Sequence, residues 1–242
     1  MASFSSDKKT LFEILEDVHK GKIQLPDFQR GWIWDDKRIK GILASIAKSF
    51  PIGVIMLLAT GNPDIKFRTK LVEGVKPTAK AIDTPDMLIL DGQQRITSLY
   101  QSIISNEPVS TQTEAGLKIQ RWYYIDMQKA MNNNCDLEEA IVSINEKRQV
   151  TTNIGREIVL DLSKEEYEFK HLMFPVCMVD ECLEWGMKYQ EYWEYDKEKI
   201  IFFNNFQTKV IASFNNYSLP IITLNKDNSK EAVWGLDYNF GH

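Results

Sequence analysis

Little in this sequence points to an exported or membrane-embedded protein. Its three cysteines, Cys135, Cys177 and Cys182, form no CxxC pair and are an odd number, which reads as a chain without a disulfide framework, kept in a reducing compartment. No apolar run approaches the roughly 20 residues that span a bilayer. The longest, Ile52 to Ala59, reads instead as a buried strand. The opening residues, Met-Ala-Ser-Phe-Ser-Ser-Asp-Lys-Lys, lack the apolar core of a signal peptide. Histidine is equally scarce. His19, His171 and His242 are scattered, and the spacing of His171, Cys177 and Cys182 fits no zinc pattern, so no metal site is expected. A basic excess is also missing: 29 Lys and Arg stand against 34 Asp and Glu, a net charge of −5. That excludes a generally basic, non-specific nucleic-acid binder and leaves room for a local basic patch. The expectation is a cytoplasmic protein with no membrane partner.

What is present is a core. The chain has 242 residues, of which 43% are apolar and 11% aromatic, well above what a disordered chain carries. Thr10-Leu-Phe-Glu13 has the form of a capping box, with Leu11, Ile14, Leu15 and Val18 following at helical spacing and Gly21 as a stop. Ile23 to Trp34 is short and aromatic, and Pro26 argues for an edge or loop there. Asp35 and Asp36 open a second helix with the stripe Ile39, Ile42, Leu43 and Ile46, followed by a strand from Val54 to Leu58. Further strands are expected at Phe67 to Val72, Met87 to Leu90, Trp122 to Asp126, Glu157 to Leu162 and Tyr217 to Leu224. Helices are expected from Ile96 to Ile104, Asp136 to Ile144 and, as a pair, across 179–216. Helices and strands mix without regular βαβ alternation, which predicts an α+β fold.

The segment Leu88-Ile89-Leu90-Asp91-Gly92-Gln93-Gln94-Arg95 stands out. A buried strand that turns on Asp-Gly into an amphipathic helix leaves the first helical amides without intrahelical partners. Asp91 reads as an N-cap, with Gln94 completing a capping box. Gly92 allows a close backbone approach or a positive φ. The helix start is then a general anion site, to which Arg95 adds a planar fork and Gln93 a neutral amide. A carboxylate beside bound phosphate holds Mg²⁺ or orients water. The same spacing fits equally well a plain cap followed by solvated first-turn residues.

Three motifs in order carry a family resemblance. Leu25-Pro-Asp-Phe-Gln-Arg30 followed by Trp34, Ser49-Phe-Pro-Ile-Gly53, and Asp91-Gly-Gln-Gln-Arg-Ile-Thr-Ser-Leu99 resemble the "IPx[FY]QR…W", "yPiG" and "DGQQRLTSL" motifs. These mark the N-terminal domain of GmrSD-type, modification-dependent (type IV) restriction proteins. The resemblance implies a ParB/sulfiredoxin-like mixed sheet with flanking helices over 1–225, including the helical segment at 179–216. It also implies a phage-defence protein that binds and hydrolyses nucleoside triphosphate, with Mg²⁺ and modified DNA as companions. Carried over, the nucleotide-binding residues are Gln29, Arg30, Asp91, Gly92, Gln93, Gln94 and Arg95. The catalytic set is Asp91, Arg95, Gln94 and Arg30, with both arginines as phosphate ligands and Asp91 holding a metal or water.

Two departures qualify the resemblance. After Glu231-Ala-Val233 the family's Phe-x-x-x-Asn-Thr-x-Gly segment is absent, so 226–242 reads as an atypical tail. No His-Asn-His nuclease can be built from the three histidines, which implies that cleavage needs a missing C-terminal domain or a partner subunit. A non-catalytic DNA- or nucleotide-binding module, or a remnant of such a protein, is the alternative. Elsewhere, Trp185, Tyr189, Tyr192, Trp193 and Tyr195 lie among lysines. They are read as packing rather than base stacking, because Glu184, Glu191, Glu194 and Glu198 oppose phosphate there. Trp32 and Trp34 fit a pocket wall and helix packing alike. Glu168-Phe-Lys170 mimics part of a nuclease signature too short to carry weight.

Overall fold

The computed structural model describes residues 4–32, 34–62, 67–76, 84–152 and 157–227. Strand β1 (Phe4–Thr10) runs directly into helix α1 (Leu11–His19). Thr10 and Glu13 close the expected capping box, and Leu11, Ile14, Leu15 and Val18 are buried. Such burial stabilises by roughly 1.5–3 kcal/mol per large aliphatic side chain. Gly21, at φ +72°, ends the turn and releases β2 (Ile23–Pro26). Asp35 caps α2 (Asp36–Ala47) by accepting from the Arg38 amide, and β3 (Ile55–Ala59) follows.

The expected strand at Phe67 to Val72 shrinks to β4 (Thr69–Lys70). The strand β5 (Met87–Asp91) and helix α3 (Gln93–Ile103) fall where the sequence places them. Next come β6 (Val109–Gln112), β7 (Lys118–Asp126), α4 (Met127–Met131) and α5 (Leu137–Ala140). The helix expected over Asp136 to Ile144 is corrected. Asp136 caps only one turn, and the β-branched Ile141, Val142 and Ile144 turn into β8 (Ile141–Asn145), paired with β7. The chain continues through β9 (Gln149–Thr152), β10 (Glu157–Asp161), α6 (Glu165–His171) and β11 (Met173–Pro175). Helices α7 (Cys182–Tyr192) and α8 (Lys197–Phe206) are the expected pair. A π-helical turn at Gln207–Ile211 leads to α9 (Ala212–Asn215) and the last described strand, β12 (Ser218–Leu224).

The fold is α+β, and the chain divides into two compact units. The first comprises 1–32, 52–100 and 218–242. Its mixed sheet has the order β1-β12-β3-β5-β2-β4, with β12–β3 and β5–β2 parallel and the other pairs antiparallel. Strand β2 therefore lies between β5 and β4 and not at an edge. Pro26 is tolerated because it is the strand's last residue. Strand β1 escapes sequence reading because Phe-Ser-Ser-Asp-Lys-Lys-Thr has no apolar alternation; it is an exposed edge, held by its pairing with β12.

The second unit comprises 33–51 and 101–217. Strand β7 anchors it, pairing with β6, β8 and β11. Its core is aromatic: Phe174, Trp185, Tyr189, Phe203 and Phe206 are fully buried, in stacked, tilted and edge-on contacts. The tail motif at 231–242 lies outside the described residues.

Candidate functional site

The site belongs to the first unit and begins at the end of β5. Asp91 is the strand's last residue, opposite Met56 of β3. Gly92 follows at φ +94°, and a Cβ there would fall on the Ile55 side chain. Both conditions exclude other residues. The Gly92 carbonyl accepts from the Ile96 amide at 3.0 Å, and α3 starts at Gln93. The cap position therefore falls to Gly92, not to Asp91 as the sequence suggests. The Asp91 carboxylate accepts instead from Arg95 Nη2 at 2.9 Å. Gln94 donates away from its own helix, to the Gly31 carbonyl at 3.3 Å.

The loop after β2 is fastened onto this helix start. Gln93 Nε2 donates to the Arg30 carbonyl at 2.8 Å. Gln29 Nε2 donates to the carbonyls of Ile89 (2.6 Å) and Leu90 (3.1 Å), just beyond the Gln24–Leu88 pairing of β2 with β5. With both partners carbonyls, the orientation of the Gln29 amide is fixed. Trp32 Nε1 donates to Ser98 Oγ at 3.0 Å, and Ser98 donates to the Gln94 carbonyl at 2.7 Å. Trp32 thus locks the loop to α3. Trp34 belongs to the second unit, where its carbonyl accepts from Thr111.

The third motif enters through Gly53. Its φ is +95°, and a Cβ would land on Arg95 Nη1. That nitrogen donates to the Ile52 carbonyl at 2.9 Å. The Arg95 side chain is 18% exposed, whereas its partner Asp91 is 44% exposed. Arg30 differs from Arg95: it is exposed and has no side-chain partner among the described residues. The geometry therefore provides a helix start, one open cation at Arg30 and one braced cation at Arg95. Asp91, paired with Arg95, is the accessible carboxylate of the site.

Sequence reasoning missed two contributors. Lys70, on β4, donates to the carbonyls of Gln29 (2.7 Å) and Asp27 (3.3 Å). Strand pairing places it there, opposite Leu25, and nothing in its local sequence announces it. Ser98 is legible only as part of the helix that Trp32 meets. In the second unit, Trp185 and Tyr189 are buried and pack as expected, whereas Tyr192 and Tyr195 of the same stretch are exposed. Glu168 is 2% exposed and accepts from Tyr124 (2.9 Å), Trp185 (3.2 Å) and Arg148 (3.1 Å). Burial pushes its carboxyl up to about 7, against the lowering effect of those donors. It is a core carboxylate and not half of a nuclease centre. Among the described residues, no group of three or more His, Cys, Asp or Glu could hold a metal ion.

Residues 11–234 match the family model of the GmrSD restriction endonuclease N-terminal domain. The chain belongs to this family. A second similarity is to an uncharacterised protein of Methanocaldococcus jannaschii, 28% identical over 175 residues. The matched stretch covers 70% of this chain and 29% of that protein, so the chain spans less than a third of the relative's length. The GmrSD match extends through residue 234, into the stretch 226–242 that reads as atypical. Membership places the chain among restriction-system components. Among the described residues, no helix is long and apolar enough to cross a membrane.

Proposed function

We propose that this GmrSD N-terminal domain binds nucleoside triphosphate at the start of α3 and acts as the nucleotide-dependent sensor of a modification-dependent phage-defence system. The observation that carries this reading is the fastening of the Gln29–Gly31 loop onto the Asp91–Arg95 turn by Gln93 and Gln94. That joint brings two motifs distant in the chain side by side. On that surface, α3 offers amide donors and the positive end of its dipole, and Arg30 offers an exposed guanidinium with no partner among the described residues.

In hydrolysis, water would attack the γ-phosphorus and the bond to the β–γ bridging oxygen would break, giving nucleoside diphosphate and phosphate. Arg30 would neutralise the charge that develops on the phosphoryl oxygens. Asp91 would orient the water or supply the single carboxylate that a nucleotide-borne Mg²⁺ takes alongside phosphate oxygens. Arg95, held by Asp91 and the Ile52 carbonyl, would shape the turn and reach phosphate only by exchanging partners. That engagement favours a second reading, in which the domain binds nucleotide or DNA phosphate without turnover.

Phosphate release from ATP, GTP, CTP and UTP, with and without Mg²⁺ and with plain or glucosylated DNA, tests both readings. Turnover that Arg30→Ala abolishes supports the first. Saturable binding without phosphate release supports the second. A wild-type chain that neither binds nor hydrolyses any of the four overturns both.

A further inference from the structure

The Gln29–Gly31 loop has an unusual electrostatic arrangement. Every carbonyl from Gln29 to Gly31 is taken by a donor: Lys70 on Gln29, Gln93 on Arg30 and Gln94 on Gly31. Lys70 also takes the Asp27 carbonyl, and the Asp27 amide donates to the Arg68 carbonyl at 2.9 Å. The negative ends of these peptide dipoles are thus neutralised by β4 and α3, so they do not repel an anion arriving at Arg30.

Lys70 differs from the two glutamines in carrying a charge. It is half-buried and has no carboxylate partner among the described residues. The one acid on the loop, Asp27, gives Lys70 its carbonyl, and its side chain is exposed. A neutral amide would serve those carbonyls as well as the glutamines serve theirs. The Asp27 and Gln29 carbonyls take two of the three ammonium donors, which leaves one for an anion.

We propose that Lys70 is a positioning and charge-supplying residue of the phosphate site, fixing the turn that presents Arg30 and selecting the polyphosphate of its ligand. This inference rests on the nucleotide-binding reading above. The charge at Lys70 and the charge at Arg30 act on one anion, and the backbone between them holds their spacing.

The test is equilibrium binding of Mg·ATP, Mg·GTP and inorganic tripolyphosphate to the full chain and to Lys70→Gln and Lys70→Arg, with thermal melts of each. Lys70→Gln keeps amide donors for the two carbonyls and removes the charge. It is expected to melt with the wild type and to bind about tenfold more weakly, tripolyphosphate included. Lys70→Arg is expected to restore binding to within about threefold. A folded Lys70→Gln chain that binds like a wild type with measurable affinity overturns the role of Lys70 alone. Equal weakening in folded Gln and Arg variants also overturns it, because the charge is then irrelevant. A wild-type chain that binds none of the three probes overturns the nucleotide reading, and this inference with it.

Discussion

The Arg95 guanidinium occupies the space that a side chain at Gly53 would need. Gly53 holds φ at +95°, and Arg95 Nη1 reaches across it to the Ile52 carbonyl at 2.9 Å. The glycine of one motif is therefore the seat of the arginine of another, although the two lie 42 positions apart in the chain. Gly53→Ala is expected to destabilise by about 1–2 kcal/mol from the positive φ alone, and further by displacing Arg95. A double-mutant cycle with Arg95→Ala, read by urea unfolding, separates the two effects. The steric part vanishes in the Arg95→Ala background and the φ part remains, leaving a coupling of about 0.5–3 kcal/mol. Strict additivity would show that Gly53 does not seat Arg95.

Asp91 pairs with Arg95 but is 44% exposed. Solvent screens such a pair, so Asp91→Asn is expected to lower stability by less than about 1 kcal/mol. The same change is expected to lower phosphate release strongly, because the neutral amide cannot take a proton from water and offers Mg²⁺ no negative charge. Melting curves beside phosphate-release assays check this. A variant that melts normally and hydrolyses at the wild-type rate would remove Asp91 from the chemistry.

Gln93 and Gln94 are neutral tethers for the loop that carries Arg30. Each hydrogen bond contributes about 0.5–1.5 kcal/mol. Replacing both with Ala should leave α3 folded, since its apolar face of Ile96, Leu99, Tyr100 and Ile103 is untouched. Hydrogen exchange should then quicken at 29–32 while β5 keeps its protection, and nucleotide affinity should fall. Arg30→Ala provides the complement. Its side chain is exposed and has no partner among the described residues, so the melt should not move while affinity falls.

How much of this was legible depended on the range of the interactions involved. Local signals read through: the capping box at Thr10, the Asp35 cap, the stripe of α3 and the turn at Gly92 each depend on residues within one or two helical turns. The cap at Asp91 was misplaced because Arg95, one turn away, competes for its carboxylate, and a sequence does not say which donor wins. Strand β1 and Lys70 were invisible for another reason. Both acquire their roles from strand pairing, β1 with β12 and Lys70 opposite Leu25, and polar residues carry no periodic trace of such partners. The helix expected at Asp136 to Ile144 failed where an apolar pattern fitted both periods and the edge of β7 decided.

Glu168 gives the second unit a pH dependence of definite sign. Its carboxyl is raised from 4.5 to about 7 by burial, despite donors from Trp185, Tyr124 and Arg148. Between these two values the folded chain binds more protons than the unfolded chain. Stability therefore falls as pH rises through that window, by an amount on the order of 3 kcal/mol if this group acts alone. Below about 4.5 both states are protonated, and above about 7 both are ionised, so the contribution is flat outside it. Glu168→Gln cannot titrate and is expected to flatten the slope. Urea midpoints at pH 5 and pH 7.5 on both proteins measure it. The Gln variant should also lose part of its stability at each pH, because its amide nitrogen cannot accept from Tyr124, Trp185 and Arg148 together. A wild-type midpoint that rises from pH 5 to pH 7.5, with the rise absent in Glu168→Gln, would reverse the assigned direction and place the ionised carboxylate as the favoured buried form.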